Sequence, residues 1–158
     1  MNGKTHIVWS IAVGLIIATI FHVTNILQLA LLLLAALICG ILPDIDHPKS
    51  LLGHWFKIFN YGAQHRGFMH SLWAVFVLGV IAIRIFGVSN QIAIAIIATY
   101  LTHLLLDTIT PAGVYWLYPF GKIKGPIKSD GVVALVVLIV GLCLIFATAA
   151  IFVQSTIL

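Results

Sequence analysis

Residues 26–47 read ILQLALLLLAALICGILPDIDH, and this stretch decides the fold. Ile26 to Leu42 are mostly apolar and uncharged, close to the length of about 20 residues that a helix needs to cross a bilayer. Three metal-competent side chains follow at once: Asp44, Asp46 and His47. Pro43 and Pro48 bracket them, remove backbone donors and oppose helix continuation, so the acids sit on a turn where side chains can converge. A membrane span ends here and chemistry begins.

Composition agrees. The 158 residues are 62% hydrophobic and only 8% charged, with a mean hydropathy of +1.18, far from a soluble globular protein. The net charge of +4 lies in loops beside apolar runs, which reports orientation and lipid contact and excludes a nucleic-acid-binding reading. Cys39 and Cys143 lie inside apolar runs, so no disulfide framework is implied.

Five apolar runs predict an all-α, polytopic membrane helix bundle forming one domain over 1–158, with spans near 7–21, 26–42, 72–88, 92–109 and 132–153. The first run resembles the start of a signal peptide, but bulky and polar residues follow it where a cleavage site would need small ones, so it reads as a retained span. Within the 43–70 loop, the aromatic and basic mixture of 50–63 suits an amphipathic helix lying in the interface. Tyr115, Trp116, Tyr118 and Phe120 form a second interfacial cluster, followed by Lys122, Lys124 and Lys128.

With five spans, the N-terminus and the 43–70 and 110–130 loops share one side. That side holds Lys4, Lys49, Lys57, Arg66, Lys122, Lys124 and Lys128, whereas the other holds only Arg84. The excess of positive charge on cytoplasmic loops predicts a cytoplasmic N-terminus and a C-terminus across the membrane. Independently of that count, His6, Asp44, Asp46, His47, His65, His70, His103 and Asp107 all fall on the same side.

These eight are the candidate metal ligands. His103 and Asp107 are four apart, hence one turn apart on one helix face, and ionisable groups inside an apolar helix mark function. Carboxylates and imidazoles with almost no thiolate suit a catalytic zinc, manganese or iron centre of one or two ions, with zinc foremost, over a closed structural site. Some of the eight would orient ligands rather than bind. Asp46 and Arg66 are the candidate catalytic residues: Arg66 presents a planar fork that matches phosphate oxygens.

Thr5-His6, the Leu42-to-His47 run, His65-Arg66-Gly67-Phe68-Met69-His70-Ser71, and His103-Leu104-Leu105-Leu106-Asp107 with Thr110-Pro111-Ala112-Gly113 together resemble the YdjM-type family of bacterial inner-membrane proteins. That resemblance implies a bacterial inner-membrane location and metal-dependent hydrolase activity. The His-x-x-x-Asp pair is also similar to one in the zinc-dependent phospholipase C and nuclease P1 group, which cleaves phosphodiesters. The sequence thus predicts a hydrolase at the cytoplasmic interface acting on a phosphoester of a membrane lipid or lipid-linked substrate. The alternative is a non-enzymatic protein that binds metal for ion transport or sensing, since intramembrane acids and histidines also mark ion pathways.

Overall fold

A computed structural model describes residues 1–47, 50, 66–129 and 131–157. It is an all-helical bundle: α1 (Gly3–Ile20), α2 (Ile26–Ile41), α3 (Leu72–Arg84), α4 (Asn90–Thr108) and α5 (Val132–Ile157). Four of these, all but α3, are long and apolar enough to cross a membrane. The amphipathic helix expected over 50–63 lies outside the described residues, apart from Ser50. The flanks of that loop are short 3-10 turns, Leu42–Asp46 and Phe68–His70.

Sequence chemistry explains where the helices start. The Asn2 side chain accepts a hydrogen bond from the Lys4 N–H at 3.1 Å, and Asn25 accepts one from Gln28 at 3.0 Å, each satisfying a donor that a helix start leaves open. The Asn2 cap starts α1 at Gly3, earlier than the apolar run alone suggests, and so places His6 within the helix. The third run was expected to reach residue 88, yet α3 ends at Arg84. Ile85 and Phe86 both donate to Ile81 O and Val88 donates to Ala82 O, folding the chain back over the last turn. Gly87 supplies the left-handed backbone, φ 58°, that this reversal requires.

α4 is the centre of the bundle and packs against α1, α2 and α3, while α5 packs on α1. Close approach depends on small residues. Gly14 of α1 faces Leu33 and Ala36 of α2, and Gly40 of α2 faces Ser10 of α1 so tightly that an added Cβ would lie 1.7 Å from the Ser10 Oγ. α5 is fixed by Gly141 under Val8 and Trp9, and by the Trp9 indole donating to Val137 O at 3.0 Å. Its outer face exposes Val132, Leu135, Val136 and Phe146, as expected of a helix bathed in lipid tails.

Past α4, residues 114–123 double back as a hairpin, with Val114 and Ile123 exchanging both backbone hydrogen bonds. The hairpin is tied to both neighbouring helices. Leu72 N–H donates to Trp116 O, the Trp73 indole donates to Tyr118 O, and the Trp116 indole donates to Thr108 Oγ1. The aromatic belt is therefore a fixed platform at the level where α3 starts and α4 ends.

Candidate metal centre

The helix order brings the site together at one end of the bundle. His6 lies near the start of α1, Asp44 just past α2, His70 just before α3, and His103 and Asp107 in the last turns of α4. One ligand atom each from Asp44, His70, His103 and Asp107 falls within 4.8 Å of every other. His70 Nε2 is 3.5 Å from Asp44 Oδ1 and 3.6 Å from Asp107 Oδ2; His103 Nε2 is 3.7 Å and 4.0 Å from the same two oxygens. A tetrahedron of zinc bonds of about 2.0–2.2 Å has edges of about 3.3–3.6 Å, so these four imidazole–carboxylate distances stand at, or slightly beyond, the spacing a single ion imposes.

Hydrogen bonding gives a second test. His103 Nδ1 lies 2.7 Å from Gly40 O, and a carbonyl can only accept, so Nδ1 carries the proton. In the neutral ring Nε2 is then a bare lone pair. It is buried, makes no hydrogen bond among the described residues, and faces two carboxylates. Lone pair against carboxylate is repulsive until a cation stands between them, so this donor set fits a divalent metal.

Charge agrees with that reading. Among the described residues, Asp44, Asp46 and Asp107 converge here, and the guanidinium of Arg66 is the side-chain cation in direct contact with them, so carboxylate charge is in excess at the cluster. The Met1 amine also contacts Asp107 Oδ1. Burial first, and the Arg66 charge next, lower that amine to about 5, so at neutral pH it adds no charge. Burial likewise pushes the His70 imidazole below its ordinary value against the pull of Asp44, favouring the neutral, metal-ligating form.

The remaining candidates surround these four. His6 stacks on His103 with ring centroids 3.7 Å apart, and its Nε2 lies 3.3 Å from Asp107 Oδ1. Asp46 stands behind His70, its Oδ2 4.0 Å from Nδ1, and accepts the Arg66 backbone N–H at 3.1 Å. That bond helps hold Arg66 in a left-handed conformation, φ 64°, unusual for a residue with a side chain. The guanidinium then reaches Asp107 Oδ2 at 2.9 Å, Thr110 Oγ1 at 3.2 Å and Gly113 O at 3.4 Å. The fork that sequence reasoning gives to a substrate phosphate thus clamps Asp107. His47 is not among the four converging residues but lines the adjacent cavity, and His65 lies outside the described residues.

That cavity, about 410 Å³, exposes Asp44 and is walled by Asn2, Lys4, His47, Ser50 and Arg66. Two contributors escaped the sequence reading. Lys4 looked like a topogenic charge, and the Gly40 carbonyl is a backbone atom that no residue type announces.

Four long apolar helices and a buried histidine–aspartate cluster define an integral membrane protein with a cluster that could hold a metal ion. The family model for the YdjM inner membrane protein matches residues 1–157, and the chain belongs to that family. Inner membrane protein YdjM of Escherichia coli (strain K12) is 39% identical over 93 residues, covering 54% of this chain and 47% of that protein; the Shigella flexneri protein of the same name matches equally. The chain thus spans about half the length of these two curated relatives. Uncharacterized protein YvsG of Bacillus subtilis (strain 168) is 32% identical over 123 residues, covering 75% of this chain and 74% of that protein. No solved structure matches.

Proposed function

We propose that the protein is a metal-dependent hydrolase of the bacterial inner membrane, with its centre at the cytoplasmic interface and a phosphoester of a lipid or lipid-linked substrate as its target. The observation that carries this reading is the bare His103 Nε2 lone pair aimed at two converging carboxylates. One divalent ion, zinc foremost, would offset the excess of carboxylate charge gathered there. When bound it supplies a water of lowered pKa and stabilises charge on a phosphoryl oxygen.

The chain's own residues divide the remaining work. Asp44, His70, His103 and Asp107 would hold the ion, Arg66 fixes the Asp107 carboxylate, and Asp46 orients His70 and residue 66. Asp44 faces the cavity, and with it Lys4 and His47 offer positive or proton-donating groups to an anionic headgroup. A cavity with a basic wall next to an ion favours a phosphorylated substrate over a neutral ester.

The test offers purified protein with zinc or manganese a panel of phospholipids, lipid phosphates and soluble phosphodiesters. Chelator-sensitive product release is expected. Lys4→Gln should leave metal content unchanged and raise KM about tenfold for the phosphorylated substrates, as loss of one charge-assisted contact implies. One observation favours the alternative of a binding or sensing protein: His70, His103 and Asp107 are fully buried, and Asp44 is the partly exposed member of the four. Metal bound tightly, with no turnover anywhere on the panel, selects that reading.

Orientation has its own measurement. The distribution of Lys and Arg supports a cytoplasmic N-terminus and metal centre, with the end of α5 across the membrane. Reporter fusions at Met1 and Leu158 should report opposite sides. The same side for both would mean that one of the five helices fails to carry the chain across.

A further inference from the structure

A groove of about 570 Å³ runs along the outer face of α3, floored by Leu72, Val75, Gly79 and Ile83 with Ile97 of α4 beside them, and Arg84 stands at its end. Positions 72, 75, 79 and 83 recur at helical spacing, so the slot follows one face of the helix. Gly79 gives it depth: a Cβ there would lie 3.3 Å from the Ile97 Cδ1. From Leu72 to Ile83 the slot is about 16 Å long at the rise of an α-helix, about half of a hydrocarbon core ~30 Å thick. That is the depth filled by the chains of one leaflet.

Arg84 decides the occupant. Leu72 and Trp73 are tied to the aromatic platform at one interface. Twelve helical steps further on, Arg84 lies only about 18 Å deeper, well short of the opposite edge of an undisturbed core. It is exposed, is the only Lys, Arg, Asp or Glu in residues 67–106, and makes no ion pair or side-chain hydrogen bond among the described residues. An unpaired guanidinium in hydrocarbon is costly; snorkelling and local thinning bring it to the headgroups of the far side, where a lipid phosphate matches its planar fork.

We infer that this groove binds one anionic phospholipid, its phosphate on Arg84 and one hydrocarbon chain laid along α3. The bilayer thins locally to meet the short helix, and the bound lipid seals the thinned zone. The site is separate from the metal centre and does not depend on its chemistry.

The full chain, stripped of lipid in detergent, is titrated with phosphatidylglycerol, with diacylglycerol bearing the same chains, and with glycerol phosphate, and retained lipid is counted by native mass spectrometry. Phosphatidylglycerol should bind at about one per chain, and the two fragments much more weakly. Arg84→Gln should weaken phosphatidylglycerol about tenfold without changing diacylglycerol, while Gly79→Leu should weaken both. Unchanged helical content and thermal melting in each variant show that the bundle is intact. Equal binding of phosphatidylglycerol and diacylglycerol, or wild-type binding by both variants, overturns the inference. So does chain-to-chain cross-linking through Val80→Cys in a Cys39→Ser, Cys143→Ser background, which would assign the groove to a second copy.

Discussion

Asp44→Asn is expected to lower metal affinity at least ~100-fold while the bundle stays folded, and Asp107→Asn to do the same with a loss of stability as well. The difference lies in what each carboxylate touches. Loss of a partner that merely orients a ligand costs about 10–100-fold, so removal of a ligating charge falls at or beyond the upper end. Asp44 is 22% exposed at its side chain, and its amide can turn to the cavity water. Asp107 is 1% exposed and paired with Arg66, which is 13% exposed. Taking away one partner of such a buried pair costs about 3–5 kcal/mol, because the other charge is left behind. Metal per chain by elemental analysis and thermal melting of the purified variants check both halves. Retention of metal by Asp44→Asn would remove it from the ligand set, and equal melting of the two variants would contradict the clamp assigned to Arg66.

The second large effect comes from a residue with no functional group. In Gly40→Ala the new methyl would lie 1.7 Å from the Ser10 Oγ and 2.7 Å from its Cβ, so α1 and α2 must separate. Overpacking of this kind costs about 1–3 kcal/mol. Here it also moves the carbonyl that holds His103 Nδ1–H and the helix that carries His6. Metal binding should fall with stability even though every ligand remains. Adding Ser10→Gly opens the space, since the nearest remaining Ser10 atom is Cα at 3.7 Å, and should restore most of the bound metal. Ser10→Ala leaves the Cβ in place and should restore little. Full metal binding in Gly40→Ala alone would mean that the helix crossing does not set the geometry of His103.

How much of this the sequence carries differs from residue to residue. His103 and Asp107 are legible because helical spacing alone puts them on one face. Asp44 is legible because a carboxylate directly at the end of an apolar run fills no packing role and would be costly there without a cationic partner. His6 stacking on His103 is another matter, since it depends on how α1 crosses α4, which the sequence of α1, apolar on most sides beyond His6, does not encode. Arg66 stands out in the sequence beside His65 and Gly67, but its contact with Asp107 does not, because that contact is set by the turn that ends α4 near Thr110 and Gly113. The end of α3 was obscured by Ile85, Phe86 and Val88, which extend the apolar run past the point where backbone bonding turns the chain.

The helix that contributes least to the centre has a consequence for how the protein is made. His6, Asp44, His70, His103 and Asp107 all precede α5, which meets the bundle through α1. A ribosome that has released α4 into the bilayer has therefore delivered every one of these side chains, while the last helix is still in the exit tunnel. The histidine–aspartate cluster can therefore assemble before the helix that follows it closes against Trp9 and Val8.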